Sequence, residues 1–162
     1  MRTILQKSSY ERLIGQTVYI EENLKSIQET LLSSKLITSR NVIDCYFKKY
    51  IRKVEALFET ITVVDDKETR LNSIPFIVLD SSFTLADSNN RVYYCHMTYD
   101  NTWDENRSIH QIHFLSETGL KLLLKEEGAK ATVNMGSGYM EHKIRSIRIE
   151  GGRDENCICV RS

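Results

Sequence analysis

"LLSSKLITSRN", residues 31–41, carries Lys35 and Arg40, holds no acidic residue, and lies between two apolar stripes of the same rhythm. Leu13, Thr17, Ile20, Leu24, Ile27 and Leu31 step by four, three, four, three and four, and Ile43, Phe47, Tyr50, Val54, Leu57 and Ile61 repeat those steps. On a helix this spacing makes a narrow apolar seam that must be buried against another. The nearest partner for each seam is the other. Folded antiparallel about Ile37, they pair Leu31 with Ile43, Leu24 with Tyr50 and Leu13 with Ile61. Ser9 is the predicted N-cap of the first helix, and Ser39 or Thr38 that of the second. Each helix then runs about 25 residues, roughly 35–40 Å at 1.5 Å per residue. A compact bundle or a projecting coiled-coil finger would satisfy both seams. Their narrowness and polar flanks favour the finger, whose tip is Ser33, Ser34, Lys35, Leu36, Ile37, Thr38, Ser39 and Arg40.

Working outward, 162 residues suffice for one ordinary domain or two small ones. With 41% hydrophobic and 27% charged residues, the composition is that of a soluble globular protein. Lys plus Arg equals Asp plus Glu at 22 each, so no global field attracts nucleic acid or an anionic membrane. The first ten residues, "MRTILQKSSY", lack the apolar core of a secretory signal, and the longest apolar run, "IPFIVL", is far short of a membrane span. The expectation is a cytoplasmic protein whose four cysteines are free thiols.

After Thr62 the periodicity lapses, and residues 63–75 read as a linker between modules. Beyond Pro75, the only proline, the pattern turns to strands. "SFTL" and "RVYYCHMTY" flank the turn-rich "ADSNN", "DNTWDEN" reads as a loop, and "SIHQIHFL" as another strand. "SETGLKLLL" is a short helix capped by Ser116, and "KATVNM", "GSG" and "YMEHKIRSIRIE" make a final hairpin. The fold class is thus α+β: a helical hairpin over 1–62, a mostly antiparallel β domain with one short helix over 76–152, and a flexible tail over 153–162.

Candidate chemistry is sparse. His110 and His113 fall on opposite faces of a regular strand and would not chelate together. No pair among His96, His110, His113, His142 and the cysteines has zinc-ribbon or HExxH spacing, so no metal or cofactor is expected. Cys157 and Cys159 read as a thiol pair in the tail, and Trp103 as a partly buried loop anchor or a partner contact. "GSGYMEH" is a hairpin turn rather than a phosphate cradle, because no helix follows it.

The β domain resembles the C-terminal domain of the Gre-type transcript cleavage and elongation factors (GreA/GreB). Phe83-Thr84-Leu85 matches the family's first strand, and Ser116 with Gly119, Leu122 and Leu123 its short helix. Gly128, Val133, Gly136, Gly138, Ile144 and Ile147 match the turn and hairpin that follow. The resemblance covers residues 76–150 by motif, and 1–62 by the order of modules alone. Glu117 stands where the family has proline, Leu124 where it has glycine, and Lys130 where it has aspartate. The resemblance implies an FKBP-like domain that docks on bacterial RNA polymerase, with Ser116, Gly119 and Lys121 as possible docking residues. It also implies a coiled coil entering the secondary channel, where the family holds a metal ion with two tip carboxylates.

The tip here lacks that acidic motif. Its nearest acids are Glu29 and Asp44, about two turns below, or ~10 Å at 1.5 Å per residue. The implied function is a polymerase-binding regulator without cleavage activity, similar to the regulator of nucleoside diphosphate kinase. It would be a non-enzyme and a monomer, with no sequence-specific nucleic-acid contact and no membrane. The alternatives are a genuine cleavage factor using Glu29 and Asp44, a prolyl isomerase suggested by topology alone, and a coiled-coil interaction module unrelated to polymerase.

Overall fold

A computed structural model describes residues 3–67, 72–99 and 108–150. Trp103, Cys157, Cys159 and the tail lie outside them. The chain is α+β, with elements β1 (Thr3–Gln6), α1 (Lys7–Ser34), α2 (Arg40–Phe58), β2 (Ile61–Val64), β3 (Ser81–Asp87), β4 (Val92–Thr98), β5 (His110–His113), α3 (Glu117–Leu122), β6 (Lys130–Asn134) and β7 (Tyr139–Ile149). A five-stranded sheet runs in the order β5-β4-β3-β7-β6, antiparallel except between β4 and β5. β1 and β2 form a separate parallel pair that ties the two ends of the hairpin together.

The seams are buried largely where their spacing places them. Leu13, Ile20, Leu31, Ile43, Phe47, Tyr50 and Val54 are fully covered, with Thr17, Ile27 and Leu57 nearly so. The pairing differs from the expected register toward the base. The Tyr50 hydroxyl donates to Gln16 Oε1 rather than facing Leu24, and Ile61 lies in β2 opposite Thr3 instead of beside Leu13. The cause is a third surface. Two helices alone would share one narrow seam, but here the sheet domain packs on both.

Phe47 packs edge-on to Phe114 and Tyr19 tilts against Tyr99, while the Tyr46 hydroxyl donates to the Leu120 carbonyl at 2.9 Å. Lys53 sits 4.8 Å from the centroid of the Phe76 ring. Only six residues, 40–45, or about 9 Å of helix, precede Tyr46 and its hydrogen bond to the body. The helices are also unequal, 28 residues in α1 and 19 in α2, and the hairpin does not project as a finger along its whole length. Its base is part of one continuous core with the sheet.

Described parts of the 63–75 stretch pair with the rest of the fold. Val63 and Val64 belong to β2, Asn72 donates its N–H to the Ile4 carbonyl at 3.2 Å, and Ile74 donates to Ile147 at 3.0 Å. The start of α1 also departs from expectation. Ser9 lies inside the helix, buried, with no partner for its hydroxyl. The first turn is capped from a distance instead: Asp66 Oδ1 accepts from Ser8 N at 3.0 Å and from Ser8 Oγ at 3.1 Å. A carboxylate there satisfies an orphan N–H and complements the helix dipole. Ser39 caps α2 as expected, accepting from Val42 N at 3.4 Å.

Candidate functional site

The turn between the helices is tight. Lys35 closes α1 in the left-handed region at φ 62, with its N–H donating to the Leu32 carbonyl at 3.2 Å. Ser34 Oγ donates to Leu31 O at 3.0 Å and Ile37 tucks against the core, so the backbone of the turn is held from within. Ser33, Ser34, Lys35, Leu36, Thr38, Ser39 and Arg40 are exposed. Leu36 at 40% and Val42 at 54% give this end two exposed aliphatic side chains beside Lys35 and Arg40. Val42 falls just beyond the predicted tip; its place off the seam is the signal that could have included it.

Glu29 and Asp44 are not brought together into a ligand pair. Asp44 is half-buried and accepts from Gln28 Nε2 at 2.7 Å across the hairpin, with Lys48 Nζ at 3.7 Å on its own helix. Glu29 is exposed one residue round α1 from Gln28. Asp44 therefore carries one hydrogen bond across the hairpin and one ion pair along its own helix. No group of three or more His, Cys, Asp or Glu side chains suited to a metal ion occurs among the described residues.

The three docking candidates divide. Ser116 Oγ accepts from Gly119 N at 3.0 Å and donates to His113 O at 2.7 Å, so it caps α3. Gly119 is there because α3 crosses the chain so closely: a Cβ would lie 2.1 Å from the His113 carbonyl oxygen. Both are structural, and only Lys121 faces outward, 3.3 Å from Glu117 Oε1 and over the exposed Tyr139 ring. The histidines are likewise dispersed. His110 packs on Tyr93, as does the buried His142, and His113 Nδ1 accepts from Leu115 N at 3.2 Å. Burial lowers the His113 pKa from its ordinary value.

One cluster was not legible in the sequence. Asp80, nearly fully buried and left-handed at φ 67, accepts from Arg12 Nε at 2.7 Å and Arg12 Nη2 at 2.5 Å. Its Oδ1 also lies 3.1 Å from Nε2 of the buried His96, whose Nδ1 is 3.0 Å from Ser82 Oγ. Beside it, the Tyr50 hydroxyl accepts from Leu79 N at 2.9 Å while donating to Gln16. These groups join α1, α2 and the sheet, and they fix the direction in which the hairpin tip points. Arg12 and Asp80 are 68 residues apart, so no local spacing announces them.

No family model matches the chain, and no curated protein matches it. Among solved structures it is similar to GreA factor homolog 1 of Thermus thermophilus, with 18% identity and a TM-score of 0.42 over 91% of this chain and 99% of that one. The Thermus aquaticus Gfh1 structure gives 18% and 0.40 over 91% and 98%. The prokaryotic transcription elongation factor GreA/GreB from Nitrosomonas europaea gives 17% and 0.43 over 91% and 98%.

Proposed function

We propose that this chain is a Gre-like transcription regulator that binds bacterial RNA polymerase and acts at its secondary channel without cleaving RNA. In this reading α1 and α2 are the antiparallel coiled coil, and the five-stranded sheet with α3 is the FKBP-like docking domain. The motif resemblance over residues 76–150 supports it, together with the order of modules. The observation that carries the non-cleaving part is the tip chemistry. Hydrolysis of a phosphodiester through a second metal ion needs hard oxygen ligands at the point of entry. The tip offers Lys35, Arg40, Leu36 and Val42, while Asp44 is committed to Gln28 and Lys48. Lys35 and Arg40 would meet anionic groups in the channel, and the aliphatic pair would act by occupancy. The seam is closed within one chain, which supports a monomer.

The test is a pull-down of bacterial RNA polymerase by the tagged protein at moderate salt, followed by incubation with backtracked transcription complexes. Co-purification together with RNA of unchanged length is the expected result. Failure to co-purify removes the polymerase, and shortened RNA 3′ ends would restore the cleavage reading with Glu29 and Asp44.

A further inference from the structure

The sheet has one face packed under α3 and the core, where Phe83, Leu85, Cys95, Met97, Ile112, Ile144 and Val133 are buried. Its opposite face is covered at one end, where His96 and Thr98 are buried, and carries its exposed residues on the strands that flank β3. The register places Tyr94 opposite Thr84, and Thr84 opposite Arg145, so the three form one row across the sheet. In the next row Val92, Ala86, Lys143 and Lys130 line up. Arg148 sits opposite Ser82 on the far side of Tyr94's row. Tyr94 is 60% exposed, and Lys130, Lys143, Arg145 and Arg148 are exposed around it.

A local irregularity assembles this set. Arg145 and Arg148 are three apart, so a regular strand would send them to opposite faces. The register shifts between Ser82 and Thr84, and Ser146 takes φ 45 on the facing strand. The bulge returns Arg148 to the side of Lys143 and Arg145, which is how bulges re-aim side chains. Among the described residues none of these three enters an ion pair. Glu141 on this face is 3.4 Å from Lys130, and the Glu127 carboxylate accepts from Ser146 N at 3.3 Å, between Arg145 and Arg148 in the chain. Three cations outside any ion pair therefore share a sheet face with an exposed aromatic ring on the strand beyond β3, in a chain whose total charge is zero.

We infer that this face binds single-stranded nucleic acid, with Tyr94 as a stacking platform for a base and Lys143, Arg145 and Arg148 as phosphate contacts. Unpaired cations favour an anionic partner of either kind, protein or nucleic acid. The ring favours nucleic acid, because any base can stack on its face, a contact that Tyr94→Phe keeps, whereas a carboxylate would use the hydroxyl that Tyr94→Phe removes. Contacts to phosphates and one stacked base carry no sequence code, so the binding is non-specific. It stands independently of polymerase.

The experiment titrates the full chain into a fluorescein-labelled oligouridylate dodecamer and follows anisotropy over a salt series. Saturable binding that weakens with salt is expected, and Tyr94→Ala should weaken it by about 5- to 100-fold while Tyr94→Phe retains it. Lys143→Ala with Arg145→Ala should flatten the log-log salt slope by about 1.4, two single-strand phosphate contacts' worth. All three sites are exposed, so unchanged melting curves serve as the folding control. Absence of binding, or wild-type affinity in Tyr94→Ala, overturns the inference. So does displacement of the RNA by an equal concentration of oligoglutamate, which would assign the face to an acidic protein, or equally tight binding of a duplex.

Discussion

Asp80 shows how much one residue can carry. It occupies a left-handed backbone position that most side chains resist, yet Asp and Asn tolerate it. Its carboxylate then pairs with Arg12 and lies within hydrogen-bond distance of His96. Removing one partner of a buried ion pair strands the others, so Asp80→Ala is expected to cost about 3 kcal/mol in urea unfolding. Asp80→Asn, which keeps the backbone preference and part of the hydrogen bonding, should cost distinctly less. An equal loss in both variants would mean that the charge, and not the shape, holds the cluster. The cysteines offer a second residue-scale test. Burial pushes the Cys95 thiol up to about 12, so the nucleophilic thiolate is essentially absent at pH 8. Cys45 is exposed. In a Cys157→Ser, Cys159→Ser background, a disulfide-exchange reagent at pH 8 should react promptly with one thiol in the native protein and with two after denaturation. Prompt reaction of two native thiols would show that Cys95 is reachable.

At the scale of elements, the helices were legible because their seams are long and periodic, and the strands after Ser81 because alternation and turn residues agree. β1 was not legible. Four residues reading Thr-Ile-Leu-Gln give no period, and their partner β2 lies beyond two helices. The start of α1 was misplaced for the same reason: its cap, Asp66, is supplied through the β2 turn rather than by a neighbour in sequence. Asp66→Ala is therefore expected to destabilise the fold by about 1 kcal/mol, like the loss of an ordinary N-cap, whereas Ser9→Ala should be nearly neutral because its hydroxyl has no partner. Chemical denaturation of the two variants side by side checks this, and a larger loss at Ser9 would return the cap to the helix's own sequence. α3 gives a sharper case. Its Ser116 cap was readable from the sequence, but the reason for Gly119 was not, since only the three-dimensional crossing shows the His113 carbonyl in the space of a Cβ. Gly119→Ala must push α3 off the strand end, and a loss of about 2 kcal/mol or more is expected from that overpacking.

For the whole molecule, two heptad seams followed by a polar stretch and a run of strands suggest two modules on a joint. That pattern could not show that the sheet supplies a third wall to the hairpin. Phe47 and Tyr50 belong to the seam by spacing and Tyr46 lies beside it, but they reach Phe114, Leu79 and Leu120 of the body. Continuity of the core has a thermodynamic consequence. If the hairpin base and the sheet bury each other, neither can melt while the other remains packed. Thermal unfolding should then be one cooperative transition, with far-UV ellipticity at the helical band and near-UV tyrosine signals sharing a single midpoint. Two separated transitions would restore independent modules. The same argument bears on function. A hairpin clamped through Arg12, Asp80 and Tyr50 presents Leu36, Val42, Lys35 and Arg40 at a fixed angle to the sheet. Under the proposed function, loosening the clamp with Asp80→Asn should weaken an effect on transcription more than it weakens attachment to polymerase, because that proposal gives attachment to the sheet and the effect to the tip. Loss of both in proportion would instead place the docking surface on the hairpin itself.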